Sequence, residues 1–136
     1  MSEAERPREV RRWLLYAEQD LALGASPDAA PRQARNLAQQ AAEKALKAVL
    51  VFLQVEFPFS HDLDALRDLV PDGWQLKKDH PDLSELTVWA VEPRYPGDLP
   101  EAAEDDARDG LRQARAGVES VLRDLDGHGF DVGQLR

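Results

Sequence analysis

The sequence predicts an all-α protein, an up-and-down helical bundle of three long and two short helices, and three observations carry that expectation. Apolar residues recur at intervals of three and four in three long stretches. Between those stretches lie clusters of proline, glycine and aspartate. No stretch alternates with period two for long enough to make a strand, and no internal repeat is visible. The 136 residues fit a single domain, 1–136, long enough to bury a core without covalent staples. Its core is expected at about 8–125, with a mobile tail at 126–136.

The first helix is read over about 8–24, where Val10, Trp13, Leu14, Ala17 and Leu21 share a face, and Gly24 and Pro27 end it. The second runs from Pro31 to Leu53 and is the organising element. At about 100° per residue, Ala34, Leu37, Ala38, Ala41, Ala42, Ala45, Leu46, Ala48, Val49, Phe52 and Leu53 cover roughly half its circumference. An arc that broad implies packing against more than one partner, and its six alanines allow close approach. Pro31 suits the first turn, where a missing N–H costs nothing.

Pro58 forbids continuation, and Ser60 is expected to cap a short third helix carrying Leu63, Leu66, Leu69 and Val70. Pro71, Asp72 and Gly73 end it, and Trp74 and Leu76 are expected to anchor a loop. A fourth, short helix over about 82–90 would bury Leu83, Leu86 and Trp89. VEPRYPGDLP, residues 91–100, has too many prolines for a regular element. Asp98 and Glu101 then form a plausible capping box for a last helix, whose seam of Ala107, Gly110, Leu111, Ala114, Val118, Val121, Leu122 and Leu125 runs to about 125.

The net charge of -9 argues against a general DNA or RNA binder held by counterion release. Residues 1–60 hold eight basic and eight acidic side chains, so the whole acidic excess falls on 61–136 and any anion site is expected to involve the first half. Without cysteine there is no disulfide, cysteine zinc site or thiol nucleophile. The charged opening MSEAERPREVRR lacks the apolar core of a signal peptide, and no segment approaches a membrane span of ~18 apolar residues, so a cytoplasmic protein is expected.

Three features can carry chemistry. Gln40, Glu43, Lys44 and Lys47 lie at i, i+3, i+4 and i+7 on the polar side of the second helix. Taken by spacing alone, they are exposed i to i+4 pairs worth a few tenths of a kcal/mol, ~0.3 each. His61 and Asp62 sit in a loop, and so do Arg94 and Tyr95, where the guanidinium suits phosphate or carboxylate and the phenol can stack on a base. Equally, Arg94 can bind a helix C-terminus or an Asp, and Tyr95 can plug the core.

The order AEQDLALGA (17–25), LAQQAAEKALKAVL (37–50), FPFSHDL (57–63) and EPRYPG (92–97), followed by a final amphipathic helix, resembles the HEPN domain family over about residues 8–125. The resemblance implies a helical bundle that commonly forms homodimers, proposed to bind nucleotides and often paired with a minimal nucleotidyltransferase in toxin–antitoxin-like systems. It implies ligand-binding positions at Gln40, Glu43, Lys44, Lys47, His61, Arg94 and Tyr95, and no metal or cofactor. Other members are metal-independent ribonucleases with an arginine followed four to six residues later by histidine. The match here, Arg123 to His128, straddles the last helix and a glycine-rich tail and is no more than composition supplies by chance. The leading expectation is therefore a binding module for a nucleotide or a partner nucleotidyltransferase. The alternatives are a ribonuclease acting on RNA through Arg123 and His128, and a structural partner protein without ligand.

Overall fold

A computed structural model describes residues 2–89 and 103–133. Six helices and no strand occur among them: α1 (Arg6–Gly24), α2 (Pro31–Leu53), α3 (Leu63–Asp68), α4 (Gln75–Asp79), α5 (Ser84–Thr87) and α6 (Glu104–Gly127). Among the described residues the short helices therefore number three rather than two. Residues 91–100, the expected box of Asp98 and Glu101, and the site candidates Arg94 and Tyr95 lie outside the described residues.

The breadth of the apolar arc on α2 has the predicted consequence. All six of its alanines are at most 6% exposed, and Ala45 to Leu50 are buried without a break, which requires neighbours on every side. α1 and α6 supply most of them. Lys44 meets Asp20 and Gln54 meets Glu3, so α1 runs antiparallel to α2. Arg35 meets the Asp106 carbonyl and Phe52 meets Phe130, so α6 runs parallel to α2. The chain makes the return stroke between them with short pieces, from Trp74 beside Phe52 at one end to Trp89 beside Arg35 and Asn36 at the other. A Cβ on Gly24 would lie 2.9 Å from Leu111 and 3.3 Å from Leu37, so glycine lets the end of α1 approach both other long helices.

Local chemistry sets the helix ends, with some departures from expectation. Asp62, not Ser60, caps α3, accepting the N–H groups of Asp64 and Ala65 at 3.1 and 3.3 Å. The Ser60 hydroxyl accepts the Asp62 N–H one step earlier. Trp74 and Leu76 are buried anchors as expected, but 75–79 is helical rather than a loop. The reason is tertiary: the Asp124 carboxylate of α6 accepts the N–H groups of Gln75 and Leu76 at 3.2 and 2.9 Å and caps α4 from outside. The expected fourth helix at 82–90 shrinks to 84–87, although Leu83, Leu86 and Trp89 are buried as predicted. At the start of α6 the Asp106 carboxylate accepts the Ala103 N–H.

The tail departs further. Phe130 is 7% exposed, packs edge-on against Phe52 and lies under the Arg11 guanidinium, so the chain just past α6 is a strap over the core, while 134–136 lie outside the described residues. Gly129, with φ of +91°, makes the turn that lets the Phe130 N–H return to the Leu125 carbonyl.

Candidate functional site

Side chains on α2 four residues apart fall on nearly the same face. Arg35, Gln39, Glu43 and Lys47 accordingly form a ladder along the helix, and its lower three rungs are buried at 0, 4 and 7% exposure. This overturns the expectation of exposed pairs: burial comes from the 57–61 connection and from Trp13 of α1, which close over the polar face.

Glu43 is the centre of the site. Its Oε2 accepts from the Lys47 ammonium at 2.8 Å, and its Oε1 accepts from the Gln39 amide at 3.1 Å and lies 2.7 Å from His61 Nδ1. Burial desolvates the carboxylate and pushes its pKa up, but the bonds from Lys47, His61 and Gln39 and the Lys47 charge outweigh that, so the carboxyl titrates below its ordinary range. An ionised carboxylate only accepts hydrogen bonds. His61 therefore carries its proton on Nδ1, and in the neutral ring Nε2 is an acceptor. The His61 side chain is 40% exposed, and its backbone carbonyl accepts a second bond from Gln39 at 3.2 Å. The Lys47 ammonium lies between the rings of Trp13, Phe57 and Phe59, at 5.6, 5.7 and 6.0 Å from their centroids. Phe59 is 93% exposed and meets the His61 ring edge-on.

Beside this ladder, Lys44 is ion-paired with Asp20 of α1 at 2.5 Å, and Gln40 donates to the Gln39 side chain at 2.8 Å. Glu43, Lys47 and His61 are thus brought together, Gln40 and Lys44 flank them, and Gln39, Trp13, Phe57 and Phe59 complete the group. Gln39 went unnoticed because it falls at the polar edge of the wheel, although its i to i+4 relation to Glu43 was legible. Phe59 carried no periodic signal at all. Arg35, at the far end of the ladder, is structural: it donates to the carbonyls of Asp106 and Glu85 at 2.9 and 3.3 Å and lies over Trp89.

Arg123 and His128 are elsewhere, Arg123 near the end of α6 and His128 just past it. His128 has more support than its glycine neighbours suggest: it stacks on Trp74 at 3.9 Å, and its Nδ1 lies 2.7 Å from the Asp124 carbonyl. Among the described residues no group of three His, Asp or Glu side chains is placed to hold a metal ion. No helix among them is long and apolar enough to cross a membrane.

The molecule is a small α-helical bundle with a buried, charge-compensated polar cluster beside a half-exposed histidine. The HEPN domain family model matches residues 10–124, and the chain belongs to that family. Neither the curated proteins nor the solved structures gave a match.

Proposed function

We propose that this HEPN-type module binds a nucleotide on the face formed by the middle of α2 and the connection into α3. The observation that carries the reading is His61, whose Nδ1 lies 2.7 Å from the ionised Glu43 and whose half-exposed ring stands beside the exposed ring of Phe59. A buried carboxylate with three donors holds the imidazole in one tautomer before any ligand arrives, and preorganisation lowers the cost of binding. Lys44, and Arg94 and Tyr95 from outside the described residues, enter the same proposal as further ligand contacts. The finer parts of the reading are a homodimer, a cytoplasmic location and a minimal nucleotidyltransferase as partner in a toxin–antitoxin-like pair; co-purification with the product of an adjacent reading frame tests the last of these.

Calorimetric titration with ATP, GTP and AMP tests the ligand, first with the native chain and then with His61→Ala, Lys44→Ala and Arg94→Ala. Heats with at least one nucleotide that are reduced in His61→Ala support the reading, and no heat with any of the three overturns it. A metal-independent ribonuclease is the second reading, favoured by the rigid seat of His128 on Trp74. It predicts RNA cleavage in EDTA that His128→Ala and Arg123→Ala each abolish.

A further inference from the structure

We infer that this face recognises the base end of its ligand and gains little from the phosphates, so that a nucleoside binds nearly as tightly as its triphosphate. The inference rests on the nucleotide reading above and specifies which part of the molecule is read.

The charges point this way. Both lysines of the stripe already hold carboxylates, Lys47 on Glu43 and Lys44 on Asp20, so each pair is formally neutral. Lys47 is also only 7% exposed and packed against Trp13 and Phe57, so a phosphate cannot reach it without displacing them. The connection QVEFPFSHD, residues 54–62, contributes Glu56 and Asp62 and no lysine or arginine. Among the described residues around His61, an anion therefore meets lysines that are already compensated.

What the face does offer suits a base. Phe59 presents almost its whole ring to solvent, and stacking on such a ring is tolerant of base identity. His61 Nε2 in the neutral ring is an acceptor, because Glu43 fixes the proton on Nδ1. It selects a ligand N–H donor such as an exocyclic amine or a ring imino group. A base lacking such a donor leaves that acceptor unpaired.

The test is titration of the native chain with adenosine, guanosine, cytidine, uridine, ATP and GTP, at about 50 and about 200 mM salt. One nucleoside is expected to bind within about threefold of its triphosphate, with little change between the two salt concentrations. Phe59→Ala, at a position too exposed to disturb folding, is expected to weaken that nucleoside about tenfold or more. If adenosine is the ligand, purine riboside, which lacks the amine, is expected to bind about fivefold more weakly. Triphosphates that bind while all four nucleosides fail, or triphosphate affinity that collapses with salt, overturn the inference and leave the nucleotide reading standing. A nucleoside affinity unchanged by Phe59→Ala also overturns it. No binding by any of the six overturns both.

Discussion

Lys47→Met removes the ammonium that faces Glu43 while keeping most of the apolar stem. The carboxylate it leaves behind is 4% exposed and retains only the bonds from Gln39 and His61. Breaking a buried pair on one side costs about 3–5 kcal/mol, a large part of the roughly 5–15 kcal/mol that holds a domain folded. Urea unfolding at neutral pH should show that loss as a lower midpoint at unchanged slope. The double variant Glu43→Leu with Lys47→Met removes both charges and should recover most of the loss, because apolar replacements of buried pairs are often neutral or better.

The pH dependence gives a second reading of the same pair. In the native chain Glu43 is depressed below 4.5, so between that value and its folded pKa the unfolded state binds more protons and stability falls with falling pH. Without Lys47 the desolvation contribution, which raises the pKa, loses its main opponent. The carboxyl then moves up, and the acid-side loss from this group shrinks or reverses. A Lys47→Met variant that unfolds at the native midpoint, or that keeps the native acid-side profile, would refute the reasoning.

Other consequences follow from the same geometry. Arg35→Met deletes two bonds that fasten the Glu85 and Asp106 carbonyls, so amide exchange over α5 and the first turn of α6 should accelerate while the α1–α2 pair keeps its protection. Gly110→Ala should act on the same elements more mildly, since the new Cβ would sit 2.8 Å from the Arg35 side chain. Asp124→Ala uncaps α4 from a distance and should cost about 1 kcal/mol, read as a shift of the urea midpoint. Burial holds His80 below 6.5, so the unfolded chain takes up that proton first and stability should begin to fall as pH drops past about 6.5; His80→Gln should remove this upper part of the acid-side decline.

The bundle was legible because helical periodicity and burial have the same cause. A 23-residue stretch with apolar residues over half its wheel has to be surrounded, and α2 is. The short elements were less legible because their partners are far away in sequence: α4 depends on Asp124, and the strap after α6 depends on Phe52. In the candidate site, spacing put Glu43 and Lys47 on one stripe, and the resemblance added His61, but the wheel assigned that stripe to water. A wheel cannot show that Trp13 and Phe57, neither of them on α2, close over that side. Once they do, charges worth little on a surface become a buried, mutually dependent cluster, and Gln39 acquires a role that its position alone did not announce.

The central claim is that the ionised Glu43 holds His61 in the Nδ1–H tautomer and leaves Nε2 as an acceptor for a ligand. Long-range proton–nitrogen NMR of the imidazoles, at a pH where the ring is neutral, measures this directly. The account predicts a protonated Nδ1 and a bare Nε2 for His61, with that preference lost in Glu43→Leu combined with Lys47→Met. A native His61 protonated on Nε2, or one exchanging evenly between the two forms, would contradict it.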